Sequence, residues 1–366
     1  MKKVVIKLGT GILSAGEGRI HLDRMIRLAE GIRDLKASGT ETILVSSGSV
    51  GLGMGKLGIE ERPKELALLR ACASVGQCLL MNAWSEALES VGLIASQVLL
   101  TREDFKSRDR SIKVQETLAS LLERGIVPIV NENDSVSDEE IKFGDNDVLS
   151  ALLASLGTAE LLVILSTAKG LMTHPDAGRL IPFVAEITPS IEQMAQGTTS
   201  PTAVGGMTTK ITAAKIATKS GCAVFIGSGE NPQELVKIIN GQAEGTFFAP
   251  SGLDLNGRKK WLAFFPEPKG TLQIDAGACE AILLNGGSLL ARGLTEVNGD
   301  FDRAEVVEIV NPAGKTIARG ISRFGKEELL LIQGKTNADV LDAFPGRNRP
   351  EVVHRDHLAP LQTNLD

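Results

Sequence analysis

Tyrosine is absent from this chain, tryptophan occurs twice, and aromatic residues make up 4% of it. Stacking platforms for single-stranded nucleic acid are hard to assemble from so few rings. Histidine is also scarce, with His21, His174, His354 and His357 the full set, so chemistry on a histidine base has few candidates. The cysteines Cys72, Cys78, Cys222 and Cys279 form no CxxC pair. That argues against a zinc site or redox dithiol and reads as reduced, buried thiols of a cytoplasmic protein. No uninterrupted apolar run approaches the roughly 20 residues that span a bilayer, and Met1-Lys2-Lys3 leads into a strand rather than a secretory leader. No membrane association is expected. The phosphate-binding pattern GxxxxGK[ST] is missing throughout, which argues against a P-loop NTPase. The glycines at 51, 53 and 55 lack the acidic residue that would complete a dinucleotide fingerprint. A net charge of −6 disfavours a chain devoted to nucleic acid.

What is present describes an ordinary globular protein: 43% hydrophobic and 23% charged residues. A length of 366 residues exceeds what one core usually serves, so two domains are expected. Through about residue 246, near-continuous apolar strands (4–6, 42–45, 94–100, 126–130, 161–165, 223–226) alternate with helical patterns (22–35, 65–89, 112–123, 147–156, 209–219). That alternation predicts an α/β fold, a mostly parallel sheet sandwiched by helices. Beyond it, a polar, turn-rich connector leads to short glycine-punctuated pieces that predict strands at 271–274, 306–310, 316–318 and 329–331, with a helix at 276–284. The expected organisation is a first domain at 1–250, a linker at 251–269 and a small, mainly β domain at 270–366.

Polar side chains concentrate where ligands bind in open α/β sheets, beyond the carboxyl ends of strands. Asn131-Glu132-Asn133-Asp134 follows one apolar strand, and Asp145-Asn146-Asp147 opens the next helix. One such cluster is explained by capping and turn formation; two flanking one strand-to-helix connection point to a site. Lys7 interrupts the first strand just before Gly9-Thr10-Gly11, where glycine lets a phosphate approach the backbone. Gly205-Gly206-Met207-Thr208-Thr209-Lys210 offers amides, hydroxyls, a helix start and a second lysine. Taken singly, Lys7 reads as a snorkelling edge lysine and the glycine pair as a linker. Two lysines with several carboxylates and no histidine base suit phosphoryl transfer, which needs positioning and charge neutralisation.

The segments VVIKLGTGIL (4–13), LVSSGSV (44–50), VPIVNENDSV (127–136), EIKFGDNDVLSA (140–151) and GGMTTKITAA (205–214) resemble the glutamate 5-kinases of the amino acid kinase family. GTLQIDAGACEAILLNGGSLLARGL (270–294) looks like the PUA domain that many bacterial members carry. The resemblance implies ATP- and Mg2+-dependent phosphorylation of the γ-carboxylate of L-glutamate, the first step of proline synthesis. It implies catalytic roles for Lys7, Lys210 and Asp147, substrate contacts from Ser47, Asp134 and Asn146, and no resident metal site. It implies nucleotide contacts from Lys7, Gly9, Ser166, Thr167 and the run Gly205, Gly206, Met207, Thr208, Thr209 and Lys210. Proline as feedback inhibitor, a homo-oligomer and glutamyl phosphate reductase as a downstream partner follow from the same likeness. The chain departs from the family in having Ser166-Thr167 where Thr-Asp is common, Leu171-Met172 and His174 in the segment after Gly170, and Val204 before Gly205. Those changes bear on the adenine and ribose contacts.

Two alternatives stay open at this point. One is another amino acid kinase, acting on N-acetylglutamate or aspartate. The other is an RNA-binding or regulatory protein working through the PUA-like part, for which Arg258-Lys259-Lys260, Arg347, Arg349 and Arg355 offer charge.

Overall fold

The computed structural model describes residues 2–16, 18–136, 145–157, 159–174, 178–196, 206–231, 234–250 and 268–361. Gly205, Val204 and residues 251–267 of the expected linker, with its basic run at 258–260, lie outside them. The chain divides into two compact units, Met1–Gly252 and Leu253–Asp366.

The first unit is built on an eight-stranded sheet. From one edge its order is Ile94–Leu100, Ile126–Glu132, Glu41–Ser46, Lys3–Leu8, Leu161–Ser166, Ala223–Ser228, Thr246–Phe248 and Phe183–Val184. All neighbours are parallel except Thr246–Phe248, which runs antiparallel to Ala223–Ser228. The central strands are buried along nearly their whole length, as expected for a sheet covered on both faces. From Lys3–Leu8 the chain moves to one side of the sheet, and only with Leu161–Ser166 does it cross to the other. The boundary between those two strands is the topological switch point, where such sheets form a crevice beyond their carboxyl ends.

Alternation along the strands sorts the residues that build the site. Val4, Ile6 and Leu8 join Leu44, Ile129, Val163 and Leu165 in the core shared with helices Leu22–Ala37 and Leu66–Glu89. Lys7, of opposite parity, points to the other face, which helices Asp145–Leu156 and Met207–Lys219 cover. Those two helices meet closely because their facing residues are small: Ala151 and Ala154 on one, Ala213, Ala214 and Ala217 on the other. Buried Ser155 and Ser220 hydroxyls are 2.7 Å apart at the same seam.

Helix Leu66–Glu89 is long and apolar enough to cross a membrane by length and composition. Leu80, Trp84, Ala87 and Leu88 belong instead to the core, and Trp84 Nε1 donates to Ser46 Oγ at 2.8 Å. Cys72, Cys222 and Cys279 are buried as expected, but Cys78 is exposed. Cys72 shares the buried stripe of its helix with Leu69, Ala73, Gly76 and Leu80, whereas Cys78 falls on the opposite side of the 3.6-residue repeat.

The second unit holds a five-stranded sheet of Leu294–Gly299, Gly270–Ile274, Val306–Val310, Thr316–Ile321 and Leu358–Pro360. Its helix Ala276–Leu283 starts at Asp275, whose carboxylate accepts from the Ala278 N–H at 2.7 Å. The strand expected at 329–331 is incorrect: those residues sit in helix Lys326–Ile332. Glu328 explains the difference, since its carboxylate accepts from the Gly325 N–H at 3.1 Å and closes the first turn. Leu329 and Ile332 then face the core while Leu330 and Leu331 are exposed, a helical spacing hidden in a run of leucines.

Candidate active site

The carboxyl end of Lys3–Leu8 carries the charged centre. Lys7 Nζ lies 2.6 Å from Asp147 Oδ1, and Lys210 Nζ lies 3.3 Å from Asp147 Oδ2. Three elements supply the trio: the first strand, the start of Asp145–Leu156 and the first turn of Met207–Lys219. The Asp147 side chain is fully buried and both lysine side chains are 5% exposed. Thr209 Oγ1 donates to Asp147 Oδ2 at 2.8 Å, adding a neutral partner. Burial alone would raise the Asp147 pKa, but the Lys7 and Lys210 ammonium groups outweigh it and hold the carboxyl below its ordinary range. Burial lowers the Lys210 pKa, and Asp147 offsets only part of that while Lys7 adds to it. Among the described residues two ammonium groups meet one carboxylate at this buried point, a balance that favours an anion.

The surrounding backbone leaves that point accessible. A Cβ added at Gly9 would lie at ordinary contact distance, 3.8 Å, from Lys7 Nζ, so the Gly9 backbone runs beside the ammonium. Met207–Lys219 starts at Gly206 without a side-chain cap, and the amino end of a helix is a favourable seat for phosphate. Met207 has a buried side chain and can offer only its backbone. Thr208 donates its hydroxyl to the Ala195 carbonyl at 3.1 Å. Ser166 ends the strand across the switch point, where its Oγ accepts from the Ala168 N–H at 3.2 Å. Thr167 is exposed beside it, and its methyl would lie 3.1 Å from a Cβ at Gly11.

A second group of polar side chains lies beyond the neighbouring strands. Asn146 Nδ2 donates to Ser47 Oγ at 2.8 Å and to Asn131 Oδ1 at 2.9 Å. Asn131 Nδ2 donates to Gln77 Oε1 at 2.8 Å and to Ser49 Oγ at 3.4 Å, and Ser49 donates to Asp134 Oδ2 at 3.3 Å. Gly48 takes φ +115° between the two serines, a conformation that favours glycine. Asp134 also faces Arg62: burial lowers the guanidinium pKa and the carboxylate offsets part of that. The expected substrate residues Ser47, Asp134 and Asn146 thus come together, adjacent in chain to the charged centre through Asn146-Asp147. Ser49 and Gln77 are additional to the residues the sequence points to, and Asn131 enters there as a member of the polar cluster rather than as an assigned contact. Asn131 belongs to the NEND cluster, whereas nothing in the largely apolar helical stretch around Gln77 marks it.

Among the described residues no group of three histidine, cysteine, aspartate or glutamate side chains could hold a metal ion. Asp147 is already engaged by two lysines and a threonine.

The amino acid kinase family profile matches residues 2–228, and the PUA domain profile matches residues 270–343. A glutamate 5-kinase of Moorella thermoacetica is 44% identical over 98% of this chain and 96% of its own. One from Deinococcus radiodurans is 41% identical over 98% of this chain and all (100%) of its own. Among solved structures, a carbamate kinase from Giardia lamblia bound to AMP-PNP superposes with a TM-score of 0.50 at 17% identity, covering 68% of this chain and 98% of that one. That likeness concerns the fold of the first unit.

Proposed function

We infer the function of this chain from its family: it belongs to the amino acid kinase family, among the glutamate 5-kinases, with a PUA domain at its carboxyl end. It transfers a phosphoryl group to the γ-carboxylate of L-glutamate, the step that opens proline synthesis. ATP is the donor, in keeping with the kinase family and with the AMP-PNP held by the carbamate kinase of like fold.

The buried trio of Lys7, Asp147 and Lys210 is the observation that carries the residue assignments. A glutamate γ-carboxylate is already ionised near neutral pH, so its oxygen can attack the terminal phosphorus without a general base. The new bond joins carboxylate oxygen to phosphorus; the bond that breaks joins phosphorus to the oxygen bridging to ADP, which keeps the electron pair. Attack brings two anions together, and negative charge shifts to the leaving oxygen. Lys7 and Lys210 are placed to neutralise that charge, with Asp147 and Thr209 fixing their positions, a preorganised arrangement worth most when water is excluded. Ser47, Asn146 and Asp134 hold the amino acid, Asp134 and Asn146 Oδ1 as acceptors for its ammonium group. Gly9, Ser166, Thr167 and the segment from Gly205 to Lys210 hold the nucleotide.

Magnesium is assigned to the nucleotide, since among the described residues no carboxylate cluster could hold it; bound to the phosphates it would neutralise charge on the transferring group. Catalysis is assigned to residues 1–250, with 251–269 a connector and 270–366 the PUA-like domain. Proline inhibition at the glutamate site, a homo-oligomer, a downstream glutamyl phosphate reductase and a cytoplasmic location complete the reading. Coupled ADP release with glutamate, ATP and magnesium tests it, with hydroxylamine trapping of the acyl phosphate. ADP formation with N-acetylglutamate or aspartate in preference to glutamate would overturn it.

A further inference from the structure

Backbone contact between two helices sets the geometry at the amino acid end. A Cβ at Gly53 would lie 1.8 Å from the Cys72 carbonyl oxygen, and one at Gly76 would lie 1.7 Å from that of Ser49. Helices Ser49–Leu57 and Leu66–Glu89 therefore touch main chain to main chain. This approach brings Gln77, the residue after Gly76, against the strand end that carries Asn131.

The hydrogen bonds there have a fixed polarity. The Glu132 backbone N–H donates to Asn131 Oδ1 at 2.9 Å, and a backbone donor cannot reverse. Asn131 must then turn its Nδ2 toward Gln77 and Ser49, and its oxygen toward Asn146. With four such bonds the buried Asn131 amide is saturated. Asn146 spends both amide hydrogens on Ser47 and Asn131, so its remaining atom is an acceptor. That atom, Asn146 Oδ1, is buried with no hydrogen-bond partner among the described residues. At the opposite end of the chain Gln77 Oε1 is the acceptor that holds Asn131 Nδ2, at 2.8 Å.

We propose that Gln77 is a positioning residue for the amino acid substrate: by holding the Asn131 amide, and through it Asn146, it keeps Asn146 Oδ1 presented as an acceptor for the substrate's cationic nitrogen. The inference rests on the glutamate reading above and adds to it a residue on a helix that touches no phosphate. An apolar residue in place of Gln77 leaves Asn131 Nδ2 short of its best acceptor, free to rotate toward Ser49 and away from the geometry Asn146 needs. The effect falls on recognition of the ammonium group, not on the carboxylate that reacts.

The full-length chain is assayed with Gln77→Met, Gln77→Glu, Asn131→Ala and the Gln77→Met/Asn131→Ala pair. Glutarate, which has both carboxylates and no ammonium, serves as a competitive inhibitor for comparison. Gln77→Met should raise the glutamate KM about tenfold, as loss of a buried amide partner does, while the glutarate Ki and the ATP KM move less than about threefold. Gln77→Glu keeps an acceptor facing Asn131 and should keep the glutamate-over-glutarate preference. In the Asn131→Ala background, Gln77→Met should add less than about twofold, because a residue acting through another has nothing left to act on. Gln77→Ala replaces Gln77→Met if the latter does not fold. An active wild type whose folded Gln77→Met or Gln77→Ala variant keeps its preference overturns the inference alone, as do fully multiplying effects in the double variant. A wild type inert toward glutamate brings down the functional reading and this inference with it.

Discussion

At one end of the site, Lys7, Asp147 and Lys210 meet as full charges within 2.6 and 3.3 Å, buried against helices of small residues. At the other, Ser47, Asn146, Asn131 and Gln77 are joined by neutral hydrogen bonds of 2.8 to 2.9 Å, and Asp134 with Arg62 brings charge. A charge-assisted contact is roughly twice as strong as a neutral one, and it responds most to a group whose own charge changes. A neutral amide contact contributes about 0.5–1.5 kcal/mol and senses donors and acceptors that do not change during reaction. The ionic end is suited to the transition state and the amide end to the ground state. Substitutions at the two ends should therefore register in different kinetic constants.

The ionic end gives the largest expected effect. Lys7→Ala or Lys210→Ala should lower kcat by about a hundredfold or more, on the scale of losing one preorganised electrostatic partner, with the glutamate KM moving much less. Steady-state kinetics over a glutamate series reads both constants. A variant that keeps turnover and loses only affinity would break the division between the ends.

Asp134→Asn probes the other end. Removing the carboxylate should raise the glutamate KM about tenfold or more, near 1.4 kcal/mol, with kcat largely kept. Proline keeps the cationic nitrogen and α-carboxylate of glutamate but has no γ-carboxylate to phosphorylate. If it occupies the same contacts, its inhibition should be relieved by glutamate and weakened in parallel by Asp134→Asn. Tenfold weaker glutamate with undiminished proline potency would instead require a separate regulatory site.

The two ends differed in how far the sequence exposed them. Lys7 alone reads as a snorkelling lysine and gains weight from Gly9-Thr10-Gly11 and from the second lysine motif, and strand parity assigns it to the face opposite Ile6 and Leu8. Asn146 and Asp147 were legible as a polar cluster at a helix start. Gln77 was not, because its role depends on Gly53 and Gly76 bringing two helices into backbone contact, a relation between segments that neither sequence stretch records. Likewise the helix Lys326–Ile332 was obscured by three consecutive leucines and revealed by one capping contact from Glu328.

The coupling within the ionic end has a pH signature smaller than the loss of a lysine. Burial and Lys7 hold the Lys210 pKa below an ordinary lysine, and Asp147 is the group that opposes them. A lysine with a lowered pKa loses its proton earlier as pH rises, so kcat should fall on the alkaline side. Asp147→Asn removes the opposing charge and should move that limb to lower pH. A pH–kcat profile of the variant that superposes on the wild type would show that Asp147 does not tune the lysine.

The smallest expected effect lies where the ionic end gives way to the nucleotide's neutral parts. Thr167 follows the strand end at the switch point, exposed beside Gly11. A hydroxyl is a weaker acceptor than a carboxylate and can also donate, so it enforces donor positions on a nucleoside less strictly. Ser166 cannot compensate fully, because its oxygen already accepts from the Ala168 amide. On the proposed nucleotide placement the triphosphate meets the same lysines and helix start whichever base it carries, so purine choice would rest on contacts of this neutral kind. Thr167→Asp should accordingly raise the ratio of kcat/KM for ATP over GTP by about two- to fivefold, the range of one neutral hydrogen bond exchanged for a charged one. Measuring both nucleotides in wild type and variant decides it. A ratio left unchanged would mean that Thr167 does not meet the base or ribose, and that discrimination is set elsewhere along the nucleotide.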